Sequence, residues 1–361
     1  MRVCDYIARE LVNLGIKNVY GLTGGGASGL NDGFIRNPDI NYICFHHEQA
    51  AGYAAIGAAK YSRNFSIVNP TTGCGGTNCM TPLLDAWQDG VPVLFISGNV
   101  RSDQTTYKMN NENQWALRKY GIQENDIIPM VKNYTTYTHF LNNPNNIRSV
   151  LMSAINAMTN GRPGPAWIDI PADVQIAELN EQYTQPIILK LLKFNYEENN
   201  LTRFTTLNFM VDKLFQADKP LILAGNGIAQ SNTIQQFIRF IEMTKIPFVS
   251  TYGARDYTDH ANPLNIGCIG VKGSRAGNMA LMKSDTLLVL GSSLTVCHIG
   301  YDKNNFAPNA YKMIVDISQS ELLKTCNQDI NSNIVSFNKG LRMDLREFFT
   351  HAISQYKLGK L

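Results

Sequence analysis

The sequence predicts an α/β protein of two doubly wound domains, each a mostly parallel sheet covered by helices on both faces. Three observations carry that expectation. Short β-branched runs alternate with helix-period stretches through the first 175 residues. A polar stretch without clear period then runs from Glu178 to about Leu201, and the alternation afterwards resumes to near residue 356. Such alternation favours parallel pairing, because each parallel crossover needs a helix to bring the chain back.

In chain order, "MRVCDYIARELVNLG" reads as an amphipathic helix over 4–15. Strands are expected at "NVYGL" (18–22), "INYICF" (40–45), "FSIVN" (65–69), "PVLFIS" (92–97), "YTTYTHF" (134–140) and "PAWIDI" (165–170), with helices at 47–61, 76–88 and 145–160 between them. Residues 1–177 form the first domain and 178–201, ending in "NYEENN", its linker. The second domain, 202–361, has strands at "KPLILAG" (219–225), "IPFVST" (246–251), "DTLLVLG" (285–291) and "YKMIVDIS" (311–318), and a last helix near 340–356.

Composition narrows the class of function. Apolar residues make up 44% and charged residues 17% of 361, enough for two buried cores. The net charge of +3 is spread without a basic block, which argues against nucleic acid as a partner. No apolar run approaches the roughly 18 residues that span a bilayer, and the N-terminal helix lacks the form of a signal peptide. Seven cysteines, at 4, 44, 74, 79, 268, 297 and 326, form no CxxC pair, and their odd number suits reduced thiols in a cytoplasmic protein. The spacing of Cys74, Cys79 and the histidines does not support a zinc site.

Three glycine-rich turns follow strands and open helices: "GLTGGGASG" (21–29), "VNPTTGCGGTNC" (68–79) and "LAGNGIAQ" (223–230). Such turns let a ligand approach the backbone and offer free N–H groups to an anion. "GNGIAQ" lacks the third Gly of the dinucleotide fingerprint and "GLTGGGASG" fits it only by sliding the frame, which counts against a nicotinamide-dependent oxidoreductase. Two in one domain, both at carboxyl ends of strands, point to a site there.

The other singular feature is Glu48, at the start of a helix made almost wholly of Ala and Gly. Ala50, Ala51, Ala54, Ala55, Ala58 and Ala59 recur at helical spacing, with Gly52 one turn beyond the acid. Two readings stand side by side. The helix packs tightly on its own sheet and Glu48 is a solvated first-turn acid favoured by the helix dipole; or this face meets another subunit and Glu48 points into the shared crevice, where a carboxylate pairs strongly with a nitrogen heterocycle or a cation.

Taken together, "GIKNVYGLTGGGASGLNDGF", "HHEQAAGYAAIGAAKYS", "NPTTGCGGTN…LLDAWQDGVPVLFISGNV", "IQENDI" and "GRPGPAWIDIPADV" resemble, in order, the N-terminal domain of thiamine-diphosphate enzymes of the acetolactate synthase type. "KPLILAGNGI", "IPFVSTYGARD", "NIGCIGVKGSRAGNMALMKSDTLLVLGSS" and "MIVDIS" resemble that family's middle domain. The resemblance implies that Glu48 hydrogen-bonds N1′ of the cofactor's aminopyrimidine and so promotes loss of the thiazolium C2 proton, which starts decarboxylation of a 2-oxo acid. It implies also that Gly24 and Gly25 line the pyrimidine side, that Thr72, Gly73 and Asn78 belong to the second loop and Gln123 to the active-site segment, and that the helix 47–61 forms a homodimer or homotetramer interface.

The chain departs from the family pattern in four places. Cys74 stands where the loop usually carries proline, and Ile122 where an aromatic residue precedes the Gln-Glu pair. "SSLTVCHIG" (292–300) replaces the basic-acidic segment that helps to seat flavin, so FAD is expected to be absent or weakly held. The family's third domain, whose "GDG" and later Asn hold Mg²⁺ and the diphosphate, has no counterpart within residues 1–361. The expectation is an acetolactate-synthase-like enzyme acting on pyruvate or a related 2-oxo acid, with a thiamine diphosphate and Mg²⁺ site completed elsewhere. The chain is then a fragment or one subunit of a split enzyme, inactive alone. The alternative is a non-catalytic binding or regulatory protein on the same fold.

Overall fold

A computed structural model describes residues 1–189, 196, 199–326, 334–357 and 359. They fall into two compact units, Met1–Leu192 and Lys193–Leu361. In the first unit the strands are β1 (Asn18–Gly21), β2 (Asn41–Cys44), β3 (Ser66–Asn69), β4 (Val93–Asn99), β5 (Tyr137–Phe140) and β6 (Ala166–Pro171). They make one sheet in the order β2-β1-β3-β4-β6-β5, and every described pair is parallel. The six expected strands are all present.

The central strands are buried on both faces, and their alternation sorts residues between two cores. Ile67, Leu94, Ile96 and Ile168 join one core with α1 (Val3–Asn13) and α2 (Ser28–Arg36). Val68, Phe95 and Trp167 join the other with α3 (Glu48–Ser62). The helix expected over 76–88 is interrupted at Cys79, giving α4 (Cys74–Asn78) and α5 (Met80–Asp89).

The alanine stripe of α3 is divided between two environments. Ala51, Ala55 and Ala59 are buried against the sheet, and Gly52 lies against the ring of Pro82, where a Cβ would come 2.5 Å from Cγ. Ala50, Tyr53, Gly57 and Tyr61 are exposed. His47 caps the helix, its Nδ1 accepting from the Gln49 N–H at 3.1 Å, which satisfies one of the donors a helix start leaves open.

The stretch expected as a linker over 178–201 begins as part of the first unit. Glu178 bridges Arg2, and Leu179 and Ile187 are buried. The Ile187 N–H donates to the fully buried Glu10 at 2.6 Å, and Tyr6 donates to the Gln185 carbonyl at 3.0 Å. These ties run through backbone groups, which leave no periodicity to read. Residues 190–195 and 197–198 lie outside the described residues.

The second unit holds β7 (Pro220–Ala224), β8 (Phe248–Ser250), β9 (Asn265–Cys268), β10 (Thr286–Leu290), β11 (Tyr311–Asp316) and β12 (Lys339–Arg342), in the order β12-β11-β10-β7-β8-β9. Two of these, β9 and β12, were not expected. Both are edge strands, and "NIGC" and "KGLR" carry Gly or charge in place of an apolar run. The last helix accordingly starts at Leu345, after β12, not at 340. The glycines of "LAGNGIAQ" have a packing cause here. The Gly225 N–H donates to Leu290 O at 2.9 Å, and a Cβ on Gly225 would fall 2.1 Å from Gly291 O, so the turns after β7 and β10 cross backbone on backbone.

Candidate functional site

In the first sheet the chain leaves β1 towards β2 on one side, while β3 pairs with β1 on the other. The turns after β1 and β3 therefore diverge above their carboxyl ends, the place where open α/β sheets bind ligands. Both glycine turns of the first domain and the start of α3 lie at this edge.

Glu48 is the first residue of α3 and is only 6% exposed. Its Oε2 accepts from Asn78 Nδ2, at the end of α4, at 2.8 Å. Its Oε1 has no described partner and lies over Gly75, where a Cβ would come within 3.2 Å of it. The reading of Glu48 as a solvated surface acid is thus not what the fold shows. Beneath it, the Cys79 Sγ faces the Glu48 carbonyl at 3.9 Å, and burial pushes that thiol well above the usual range, so it packs as a small apolar group.

The two glycine turns meet at Thr71. A Cβ on Gly24 would lie 2.5 Å from Thr71 Oγ1, and that hydroxyl is buried without a partner among the described residues. Gly25 faces open space. The Gly24 N–H is held by Asn31 Oδ1 at 3.3 Å, and Asn31 Nδ2 donates to Asn69 Oδ1 at 2.6 Å, which also accepts from Tyr42 at 3.1 Å. This polar group fastens the first turn to the ends of β2 and β3.

Thr72 and Gly73 turn away from Glu48 towards a third segment. Gly73 has φ +60°, and a Cβ there would fall 1.7 Å from the carbonyl oxygen of Gln123, so only glycine admits this contact. Gln123 itself has φ +55°, an unusual value for a side-chain-bearing residue. Its neighbour Glu124 is buried and accepts from the Thr106 N–H and hydroxyl at 3.1 and 3.0 Å, which ties Gln123 to the start of α6 (Thr106–Asn113). Ile122 points outward, 82% exposed.

The seven residues singled out in the sequence thus come to one edge: Glu48 with Asn78, Gly24 and Gly25 on the first turn, and Thr72 with Gly73 against Gln123. The sequence reading missed Thr71, Asn31, Asn69, Asn99 and Asp169. One signal was available, since a lone acid inside the apolar strand "WIDI" must be hydrogen-bonded to be buried. Asp169 is 1% exposed and accepts from Ser97 Oγ at 2.6 Å and Asn99 Nδ2 at 2.7 Å. Burial pushes its carboxyl up to about 7, against those two bonds.

The arrangement suits a flat nitrogen heterocycle. Among the described residues it offers a carboxylate with one oxygen engaged and the other unpaired, a buried hydroxyl without a partner, and a glycine floor that Cβ atoms would fill. Among the described residues no group of three or more His, Cys, Asp and Glu side chains could hold a metal ion.

Residues 1–152 match the family described as thiamine pyrophosphate enzyme, N-terminal TPP binding domain, and residues 207–335 match its central domain. The acetolactate synthase large subunit of Corynebacterium glutamicum is 31% identical over 318 residues, 88% of this chain and 48% of that protein. The probable acetolactate synthase large subunit of Methanocaldococcus jannaschii is 30% identical over 346 residues, 96% of this chain and 56% of its own. The Lactococcus lactis acetolactate synthase large subunit is 31% identical over 324 residues, 90% and 53%. The chain spans about half the length of the curated relatives it matches.

Proposed function

Because the chain belongs to the thiamine pyrophosphate enzyme family, with that family's N-terminal and central domains in order, we propose that it works in an acetolactate-synthase-like enzyme. The reaction is decarboxylation of pyruvate or a related 2-oxo acid, followed by transfer of the remaining fragment to an acceptor carbonyl. Thiamine diphosphate, when bound, supplies the electron sink for that decarboxylation.

The observation that carries this reading is the Glu48–Asn78 pair over its glycine floor. Asn78 donates to one oxygen of Glu48 and so fixes the direction of the other, Oε1. That oxygen holds a proton at N1′ of the aminopyrimidine. A carboxylate held away from water pairs more strongly with a ring N–H than one in solvent. Gly24, Gly25 and Thr71 would line the pyrimidine, with Thr72, Gly73 and Gln123 beside them in the same site.

The diphosphate and its Mg²⁺ are held by groups outside residues 1–361, in the remainder of a longer chain or in a partner subunit. The length of the relatives supports this, and the described residues supply no acidic cluster for the metal. Residues 1–361 alone are then inactive. The exposed side of α3, with Tyr53 and Tyr61, serves as the self-association surface of a dimer or tetramer. Flavin is absent or weakly held, since 292–300 offers no Arg or acid to anchor it. A cytoplasmic setting agrees with seven free cysteines.

Glu48→Gln in the complete enzyme tests the assignment. The amide keeps the size of the side chain and cannot hold the charge that favours a proton at N1′. Exchange of the cofactor's C2 proton should slow by at least ~10²-fold, the lower range for a removed acid–base group. Exchange at the wild-type rate would overturn the reading.

A further inference from the structure

Asn99 ends β4 and is 3% exposed. Its carboxamide makes all four hydrogen bonds that such a group can make. Oδ1 accepts from the Val100 N–H at 2.8 Å and from Thr72 Oγ1 at 3.1 Å. Nδ2 donates to Asp169 Oδ2 at 2.7 Å and to the Asn125 carbonyl at 3.4 Å. Its orientation has one solution, because a backbone N–H can only donate and a backbone carbonyl can only accept. The carboxylate of Asp169, which also accepts from Ser97 Oγ, enforces the same direction.

The two outward bonds reach two different walls of the candidate site. One goes to Thr72, next to Gly73. The other goes to Asn125, two residues beyond Gln123. Those walls meet at the Gly73–Gln123 contact, where both residues sit at positive φ, Gly73 just before α4 and Gln123 just before the buried Glu124 that Thr106 holds. A single buried amide thus bonds to both of two segments that no described strand pairing connects.

We propose that Asn99, braced by Asp169, is a positioning residue that fixes the Thr72–Gly73 turn and the Gln123–Asn125 segment relative to each other. The side chain is buried behind these loops and acts on the reaction only through them. The inference rests on reading these loops as the cofactor face, but its first test needs no cofactor.

That test is amide hydrogen exchange of the 361-residue chain carrying Asn99→Asp. At pH 8 the new side chain still accepts from Val100 and Thr72 with one oxygen, while the other faces Asp169 and the Asn125 carbonyl, both acceptors, and that side of the link opens. Protection over 121–127 should fall roughly tenfold, about the weight of one lost hydrogen bond, while 71–78, β4 and β6 keep theirs. At pH 5 one proton shared between the new carboxyl and Asp169 relieves their repulsion but cannot also reach the Asn125 carbonyl, so the loosening of 121–127 should persist. Glu124 and Asp126, the other acids acting on Asp169, are present in both proteins and cancel in the comparison.

Wild-type protection over 121–127 at pH 8 would overturn the proposal, as would loosening that vanishes at pH 5, which would mark charge repulsion and not the lost bond as its cause. Should the variant lose protection throughout the first unit, Thr72→Val reads the same link without burying a charge. It should loosen 71–78 alone, and an unchanged turn would refute the role of Asn99. In the complete enzyme Asn99→Asp should raise the half-saturating concentration of thiamine diphosphate about tenfold at pH 8, the same single-bond weight. An unchanged value would overturn the positioning role even if the loops loosen. A null result with Glu48→Gln, by contrast, overturns the cofactor face and leaves the exchange result standing.

Discussion

Replacing Asp169 by Asn should make the first unit's stability less dependent on pH, with the two proteins diverging as pH rises. The carboxyl is fully inside the sheet, and burial lifts it from an ordinary 3.8 to about 7. Between those values the folded chain keeps a proton that the unfolded chain has released. Stability from this group is therefore complete below about pH 4 and declines until about pH 7, where the folded carboxyl also ionises. Some three pH units at 1.36 kcal/mol each give a decline of up to roughly 4 kcal/mol. The amide has no such decline. Its own cost, an unmatched Ser97 hydroxyl proton, is the same at every pH. Urea unfolding at pH 4.5, 6 and 8 measures the difference. Trp87, Trp115 and Trp167 are all three tryptophans of the chain and all lie in the first unit, so their fluorescence reports that unit alone. A gap between wild type and Asp169→Asn that stays constant from pH 4.5 to 8 would show that burial does not hold the proton on Asp169.

Sedimentation of the 361-residue chain should show self-association, and Tyr53→Asp or Tyr61→Lys on the exposed face of α3 should weaken it; a strict monomer would remove that surface from the assembly. Denaturation of the purified chain should release no stoichiometric flavin, and a yellow protein with a matching flavin peak would contradict the account of 292–300. Calorimetry with thiamine diphosphate and Mg²⁺ should give at best millimolar affinity, about −4 kcal/mol, because the pyrimidine contacts act without a diphosphate site. Micromolar, Mg²⁺-dependent binding would mean that these residues hold the metal after all.

The site was readable in the sequence where one residue type has one use. Glu48 stood out as the only acid between Asp39 and Asp85, and the glycine turns marked close approach. What escaped was the support behind them. Asn31, Asn69 and Asn99 act through amide groups that are ordinary in any loop or strand end, and the bonds Asn31–Asn69, Asn69–Ile96, Asn99–Thr72 and Asn99–Asp169 join residues 27–70 apart in sequence. No local pattern encodes such a distance. The strands followed the same logic. Those buried on both faces gave unbroken apolar runs, whereas "NIGC" of β9 and "KGLR" of β12 carry Gly and polar or charged residues in place of one.

The fastening of 178–189 onto α1 also orders events during synthesis. The Val3 N–H donates to Ala177 O, Leu179 donates back to Met1 O, and Glu10 waits for the N–H of Ile187. At about 5–20 residues per second a ribosome needs roughly 10–40 s to pass from the first of these partners to the last. Throughout that interval α1 lacks the cover that 177–187 provides, and the Glu10 oxygen that Ile187 will bond stays open while Arg9 and Asn13 hold the other. A pulse of protease on stalled ribosomes should therefore cut the nascent chain within α1 until residue 187 has emerged. Synonymous codons that slow elongation between 100 and 187 lengthen the exposure without changing a single residue of the product.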